Sequence, residues 1–238
     1  MGLYRERGIV LRTIKLGEAD RIVTLVTEGH GKVRAVAKGV RRTKSRFGAR
    51  VEPLSHVDVL CYEGRNLDTV TQAETLEHFR PVREDLDRLG RATCLLEVVD
   101  AVVQEGEADG RLYQMLLGAL RTLAAGYAPL LVPAFYWKLL SQQGFRPSLD
   151  SCAACAASTD LVAFDVGEGG MLCRSCRKGI RITPGALDLL RRILGGDLVA
   201  VLAEGASPAG PELEHLGTRA LEHHLERRLR APGVLDRA

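Results

Sequence analysis

The chain has 238 residues, enough for two or three modest domains, and its composition, 46% hydrophobic and 26% charged, is that of a globular protein. Its densest apolar run, residues 129–137, is far shorter than the roughly 20 residues of a membrane-spanning helix. The first residues, MGLYRERGIV, lack the apolar core of a secretory signal. These features argue against a membrane or secreted protein, and we expect a cytoplasmic one.

The net charge of +3 conceals a segregation of charge along the chain. Residues 1–80 contain 15 Lys and Arg against 10 Asp and Glu, whereas the remainder contains 18 against 20. Residues 32–51 hold eight cations and no acid. These cations are Lys32, Arg34, Lys38, Arg41, Arg42, Lys44, Arg46 and Arg50. Such segregation indicates a polyanionic partner for one part of the chain.

Residues 5–78 have the pattern of about five short β-strands. The runs GIVLRTI and DRIVTLVTEGHGKVRAVAKG are followed by SHVDVLCYEGRNLDTVTQAE, and the segments EGHG and EGRN are hairpin signals. No helix long enough for a crossover separates the strands, so the pattern predicts a small antiparallel barrel or sandwich. The cation-rich stretch is expected in a loop that follows the second strand of the first hairpin.

From residue 81 the hydrophobic period becomes that of a helix. It predicts helices at about residues 86–103, 112–123, 133–144, 184–194 and 211–230. Thr183 is the expected N-cap of the fourth helix, with Pro184 at its first position and a glycine pair at its end. We therefore expect an α+β multidomain chain, with a β domain at residues 1–80 and a helical body at residues 81–238.

Four of the six cysteines form two close pairs, Cys152-x2-Cys155 and Cys173-x2-Cys176, with seventeen residues between them. A two-residue spacer lets one tight turn present two thiolates to a tetrahedral Zn²⁺. The intervening DLVAFDVGEGGMLC has the pattern of a hairpin that returns the chain to the first pair. The spacing predicts one structural zinc in an insert at about residues 150–180, because four thiolates leave no position for water. The alternatives are four unrelated cysteines or a redox dithiol.

Runs of charge are often only solvated faces, and Arg34 on a strand fits that interpretation. Eight cations without an interleaved acid are costly to hold together, however, unless an anion shares the site. Aromatic residues that would stack on bases are few in this half: Tyr4, Phe47, Tyr62 and Phe79. The pattern predicts DNA or RNA binding through the phosphate backbone with little sequence preference. A second basic group either extends this path or is a solvated surface: Arg174, Arg177, Lys178 and Arg181.

Signals of catalysis are absent from the sequence. The segment GHGKV lacks the first glycine and the hydroxyl residue of a phosphate-binding loop, and neither H-E-x-x-H nor G-x-S-x-G occurs. No carboxylate cluster resembles a two-metal nuclease site. We therefore expect a binding protein and not an enzyme. The alternatives are a zinc-ribbon nuclease, a subunit that completes another active site, and an accessory factor for RNA or transcription.

The order of these parts resembles that of the bacterial RecO family of recombination mediators. The segment AKGVRRTKSRFG, residues 37–48, carries the most specific part of the resemblance, which extends over essentially the whole chain. The resemblance implies an OB-fold at the N-terminus, a helical body and a zinc-binding insert held by the four paired cysteines. It implies DNA contacts by the motif cations Lys38, Arg41, Arg42, Lys44 and Arg46. Phe47 is interpreted as an anchor of the loop rather than a stacking residue.

This resemblance also implies a function and a set of partners. Members of the family bind single-stranded and double-stranded DNA, anneal complementary strands and, with RecR, load RecA onto strands coated by SSB. The implied partners are thus DNA, RecR, the acidic C-terminal tail of SSB and, indirectly, RecA, in a nucleoid-associated cytoplasmic location without a membrane. The family recognises the SSB tail through its helical body, where Arg121 and Lys138 near Phe135 and Trp137 are candidates that match no motif.

Overall fold

The computed structural model describes residues 2–42, 45 and 47–231. The chain divides into two compact units, of which the first ends at Gly126 and the second begins at Tyr127. Residue 80 marks the change from strands to helices within the first unit. That the same residue separates two domains, 1–80 and 81–238, stays a prediction.

The first unit begins with a closed five-stranded barrel in the order β1-β2-β3-β5-β4. Its strands are β1 Leu3–Leu16, β2 Asp20–Thr27, β3 Gly31–Ala37, β4 His56–Tyr62 and β5 Asp68–Glu77. Four neighbouring pairs are antiparallel, while β3 and β5 are parallel, with Ala35 opposite Asp68 and Val36 opposite Thr69. This barrel confirms the predicted OB-fold, and its parallel pair is a feature that residue alternation did not reveal.

Alternation along β3 shows why these residues form a barrel strand. Val33, Ala35 and Ala37 are at most 6% exposed and point into the barrel core, whereas Lys32 and Arg34 lie on the partly exposed outer face. The turn that precedes β3 ends at Gly31, whose φ of +65° favours glycine. A Cβ added there would lie 2.1 Å from the carbonyl oxygen of Glu107, so no other residue fits.

Three helices complete the first unit. They are α1 Arg80–Arg83, α2 Leu86–Val102 and α3 Gly110–Ala125. The side chains of Asp85 and Asp109 cap α2 and α3 by accepting the backbone N–H groups of Arg88 at 3.0 Å and Leu112 at 2.9 Å. Both helices occupy the residues that the hydrophobic period predicts.

The second unit combines helices with a small sheet. Its elements are α4 Leu131–Gln142, β6 Leu161–Asp165, β7 Gly170–Cys173, β8 Ile180–Arg181, α5 Pro184–Gly195, α6 Leu198–Ala203 and α7 Ala209–His224. Trp137 of α4 is 1% exposed, and its indole N–H donates to the carbonyl oxygen of Leu213 in α7 at 3.1 Å. Thr183 caps α5 as predicted, because its hydroxyl accepts the N–H of Ala186 at 3.2 Å.

The last helix ends six residues earlier than the hydrophobic period predicts, at His224 instead of residue 230. Glu226 adopts a left-handed φ of +51°, which interrupts the helical hydrogen bonding. The carboxylate of Glu222 then accepts the backbone N–H of Leu229 at 2.9 Å. Leu229 is still buried, so the apolar period continues although the helix does not. None of the helices in the described part of the chain is both long and apolar enough for a bilayer crossing.

Candidate metal centre and cationic surface

The four paired cysteines converge at one end of the small sheet in the second unit. Strands β6 and β7 pair antiparallel, as the predicted hairpin requires, and place Cys173 opposite Leu161. All four Sγ atoms lie within 4.8 Å of one another, and those of Cys155 and Cys173 are 3.7 Å apart. Four sulfurs at about 2.3 Å from a tetrahedral zinc would be about 3.8 Å apart. The geometry therefore fits a tetrahedral metal ion.

Tight turns present the sulfurs to a common point. In the first pair, the N–H of Ala156 donates to the carbonyl oxygen of Cys152 at 2.8 Å, and in the second the N–H of Cys176 donates to that of Cys173 at 3.2 Å. Ala156 adopts a φ of +63°, a left-handed conformation that favours glycine. Cys152 and Cys173 are buried, while Cys155 is exposed, so the cluster has one covered side and one that faces solvent.

Electrostatics within the cluster favour a bound cation. The backbone N–H of Cys173 is the main cause that lowers the pKa of Cys152 to about 6, with smaller contributions from the N–H groups of Cys155 and Ala154. Hydrogen bonding to the sulfurs of Cys155 and Cys173 raises the pKa of Cys176 to about 12. Neighbouring thiolates thus oppose the ionisation of the last cysteine, and a dication would remove that opposition. These four residues can hold a metal ion.

The cationic loop, defined as residues 38–46, connects β3 to a short 3-10 turn at Gly48–Val51. Four of the eight predicted DNA-contacting cations are exposed in or beside this loop: Lys38, Arg41, Arg42 and Arg50. Lys44 and Arg46 lie outside the described residues. Within the described part of the chain, ion pairs of the cation-rich stretch involve Lys32 and Arg34, and none involves Lys38, Arg41 or Arg42.

Lys32 and Arg34 differ from the loop cations because they have acidic partners. The Nζ of Lys32 donates to the carbonyl oxygen of Asp100 at 2.6 Å and lies 3.5 Å from its carboxylate. Arg34 lies 3.5 Å from the carboxylate of Glu105. These acids follow along the chain 68 and 71 residues later, so a reading of the local sequence could not find them. That Lys32 and Arg34 contact DNA stays a prediction. The ion pairs with Asp100 and Glu105 leave these two cations less positive charge for a phosphate than the unpaired cations among the described residues of the loop have.

Hydrogen bonds tie the start of the cationic loop to the turn between β1 and β2 and to Asp20, the first residue of β2. The carboxylate of Asp20 accepts the N–H of Gly39 at 2.7 Å, and the N–H of Arg41 donates to the carbonyl oxygen of Ala19 at 2.9 Å. The guanidinium of Arg41 also donates to the carbonyl oxygen of Glu18 at 2.9 Å. The start of the loop therefore has a defined position with its cations on the outside.

Two apolar residues anchor this loop in the barrel core. Val40 is 8% exposed and Phe47 is 4% exposed, and both belong to the core cluster that includes Val51. The interpretation of Phe47 as an anchor is confirmed, since a ring buried in the barrel core cannot stack on a base. Val40 and Phe47 thus hold the chain at the barrel core just before Arg41 and directly after residue 46.

One exposed cation beside the cationic loop was missed by the sequence interpretation. Lys15 is opposite Arg21 in the β1–β2 pairing, and Arg21 is opposite Ala37 at the end of β3, where the loop begins. Strand pairing therefore brings Lys15 to this end of the barrel sheet. Lys15 stands alone along the chain, so no run of charge could have indicated it.

The other basic candidates have varied surroundings. Beside the second cysteine pair, Arg174, Arg177 and Arg181 are exposed, while Lys178 forms an ion pair with Glu168 at 2.6 Å. The residues that are candidates for contacts with the SSB tail are ion-paired or more buried. Arg121 of the first unit pairs with Glu77 of the same unit. In the second unit Lys138 is partly exposed, whereas Phe135 and Trp137 are 4% and 1% exposed and present almost no apolar surface.

Comparison with protein families agrees with this arrangement. A family model described as recombination protein O N terminal matches residues 1–79, which contain the barrel and the cationic loop. A second model, recombination protein O C terminal, matches residues 83–232, which contain the helices α2 to α7 and the cysteine cluster. The two matches together extend over nearly the whole chain.

Proposed function

The chain belongs to the recombination protein O family of DNA recombination and repair mediators, and we propose that its cationic loop binds single-stranded and double-stranded DNA and anneals complementary strands. The observation that carries this proposal is that Lys38, Arg41 and Arg42 are exposed on a loop anchored to an OB-fold barrel. Among the described residues, no carboxylate forms an ion pair with any of the three. We include Lys44 and Arg46 as contacts from their place in the same motif. Phosphate contacts of this kind release condensed counterions and supply most of the affinity for nucleic acid.

Annealing by this surface involves no covalent step. Two strands repel each other through their phosphates, and a fixed group of cations lowers that repulsion. The bases must remain free to pair, which requires contacts that do not hold their edges. Because Phe47, the aromatic residue that directly follows the loop, is buried, the loop contacts phosphates and leaves the bases accessible. The proposed function is thus that of a mediator and not of an enzyme.

Mediator action adds protein partners to the proposal. We propose that the chain acts with RecR to load RecA onto single strands coated by SSB, and that it recognises the acidic C-terminal tail of SSB. Membership of the family supports these partners. A separate surface for the SSB tail would let the coat be displaced while the cationic loop captures the exposed strand.

We also propose that the cysteine cluster binds one structural Zn²⁺ through Cys152, Cys155, Cys173 and Cys176. Four soft thiolate donors at tetrahedral spacing support zinc over a hard cation. A site with four protein ligands is closed to water and to substrate. The metal would contribute to folding of the insert, whose β8 strand has only two residues.

The test is a variant with Arg41→Ala, Arg42→Ala and Lys44→Ala, compared with a control that loses three exposed cations on helices, Arg80→Ala, Arg111→Ala and Arg219→Ala. In anisotropy titrations the loop variant should bind all DNA sequences more weakly. The slope of log K against log salt should fall by roughly two to three units, at about 0.7–0.9 per lost phosphate contact. The control should keep the native slope and annealing rate.

Equal affinities and slopes for the native protein and the loop variant would contradict the role of the cationic loop. A second measurement separates a mediator from a nuclease. Incubation of the native protein with labelled single strands and Mg²⁺ should leave every strand length unchanged. Shortened strands would instead favour the nuclease alternative, and a marked preference for RNA would favour an accessory factor.

A further inference from the structure

The outer face of the barrel carries a row of aliphatic side chains beside the cationic loop. Ile14 of β1 is opposite Ile22 of β2, and Ile22 is opposite Val36 of β3. Side chains of directly opposite residues lie on the same face of a sheet. We call Ile14, Ile22 and Val36 the aliphatic row.

Burial shows that the aliphatic row points away from the barrel core. Val23 and Ala35, the neighbours of Ile22 and Val36 along their strands, are both 0% exposed inside the barrel. Alternation therefore places Ile22 and Val36 outside, where both are partly exposed. Ile14 is 47% exposed, and Leu16, two residues further along the same face of β1, is 39% exposed. Large aliphatic side chains thus face solvent on three adjacent strands.

The neighbouring part of the same outer face is covered. The next row consists of Arg12, Thr24 and Arg34, which are opposite one another on β1, β2 and β3. Arg12 lies 2.6 Å from the carboxylate of Asp100 in α2, and Thr24 is 1% exposed. The end of α2 and the residues after it therefore cover the face up to this row. Among the described residues this coverage ends at that row, and the aliphatic row is the next one, where side chains are partly exposed.

The open row adjoins the proposed phosphate-binding surface. Lys38 follows Val36 by two residues, and Asp20, the residue of β2 opposite Leu16, holds the cationic loop through the N–H of Gly39. A ligand that covers both would present apolar groups to the aliphatic row and anionic groups to the loop. A single strand of DNA has this character, because its base faces are apolar and its phosphates are charged.

We propose that the aliphatic row contacts the bases of single-stranded DNA whose phosphates lie on the cationic loop. This inference rests on the proposed function and adds the element that distinguishes single from double strands. Bases in a duplex are stacked inside and cannot lie flat on a protein surface, whereas those of a single strand can. Aliphatic contact is non-directional and occupies base faces, so the pairing edges stay free for a complementary strand.

The first test compares Ile14→Thr with a matched control, Leu76→Thr. Leu76 lies on β5 and is 44% exposed, close to the 47% of Ile14, and threonine suits a strand in both cases. We expect Ile14→Thr to bind single-stranded DNA roughly fivefold more weakly, as for the loss of about half of an isoleucine burial. Its affinity for duplex DNA, its salt slope and its melting temperature should match those of Leu76→Thr.

A second variant tests the same contact in the opposite direction. Ile14→Trp supplies a ring on which a base can stack, so single-stranded DNA should bind more tightly and complementary strands should anneal more slowly. If Ile14→Thr and Ile14→Trp both bind single strands as the native protein does, the aliphatic row makes no base contact. An equal loss for single and double strands would also overturn the inference. In either case the proposed function would still hold if the variant with Arg41→Ala, Arg42→Ala and Lys44→Ala binds DNA more weakly than the native protein does.

Discussion

The carboxylate of Asp20 accepts the backbone N–H of Gly39 at 2.7 Å, and this bond joins the first residue of β2 to the first residues of the cationic loop. Gly39 has a φ of +68°, so the chain reverses in a conformation that favours glycine. An acid is thereby placed beside a surface that we propose to bind phosphates. Its charge opposes DNA binding, while its hydrogen bond positions the cations that promote it.

These two effects of Asp20 can be separated by substitution. Asp20→Asn removes the charge and keeps an oxygen that accepts the N–H of Gly39, so DNA should bind as tightly as to the native protein or more tightly. Asp20→Ala removes both, and it should bind DNA roughly fivefold more weakly than Asp20→Asn, the equivalent of one hydrogen bond of about 1 kcal/mol. Anisotropy titrations at one salt concentration give the comparison. Tighter binding by Asp20→Ala than by Asp20→Asn would show that the bond does not position the loop.

If the cysteine cluster binds a structural zinc, removal of its ligands should lower the stability of the protein and abolish no catalytic activity. The variant Cys152→Ser with Cys173→Ser should contain less than one zinc per chain, and a chelator should no longer lower its melting temperature. The native protein should contain one zinc and melt lower once it is removed. Cys94→Ala, which removes a buried thiol of α2, is the control and should keep the full zinc content. Native protein that contains no metal and is indifferent to chelator would argue against a structural zinc.

A buried histidine gives the first unit a dependence on pH. His56 is 4% exposed, with Nε2 at 2.7 Å from the hydroxyl of Tyr113 in α3 and Nδ1 at 3.2 Å from the carboxylate of Glu77. A carboxylate only accepts, so Nδ1–H donates to Glu77 and Nε2 accepts the Tyr113 hydroxyl. Burial is the main cause that lowers the pKa of His56, and Arg121 and Arg7 lower it further while Glu77 opposes them.

The sign of the effect follows from proton linkage. Below pH 6.5, the ordinary pKa of histidine, the unfolded chain takes up a proton that the folded chain does not. The free energy of unfolding therefore decreases as the pH is lowered, by up to about 1.4 kcal/mol per pH unit. His56→Gln should lose this slope between pH 6.5 and the lower folded pKa, while His78→Gln, at an exposed position, should retain it. Denaturant unfolding at several pH values measures both. The Glu77 carboxylate, whose pKa is lowered chiefly by Arg121, acts only below its ordinary pKa of 4.5.

Contacts across residue 80 predict how the first unit folds. The His56–Tyr113 hydrogen bond and the ion pair of Arg12 with Asp100 both join the barrel to later helices. A fragment of residues 1–126 should therefore unfold in one cooperative transition, and a fragment of residues 1–80 should melt at a lower temperature. Circular dichroism of the two fragments makes the comparison. Equal melting temperatures would support an independent domain at residues 1–80.

Much of the architecture was determined by the sequence alone. The two-residue spacing of Cys152 and Cys155, and its repeat at Cys173, predicted a four-sulfur cluster that the structure contains. Strand alternation and the helical period located the barrel and the helices α2 to α5. Capping residues such as Thr183 marked a helix start. These features depend on the backbone geometry of a few consecutive residues, and a local pattern therefore carries them.

Other properties of the surface were decided only by the tertiary structure. Residue order shows Lys32 and Arg34 as members of one basic run, yet Asp100 of α2 and Glu105, which follows that helix, pair with them. Among the described residues Lys38, Arg41 and Arg42 have no such pair. Residue order likewise hides the alignment of Ile14 with Ile22 and Val36, which strand register produces. Register and packing join residues that are distant along the chain. Because the free energy of such contacts depends on the whole fold, no local pattern of charge or hydropathy can specify which cations remain open to a ligand.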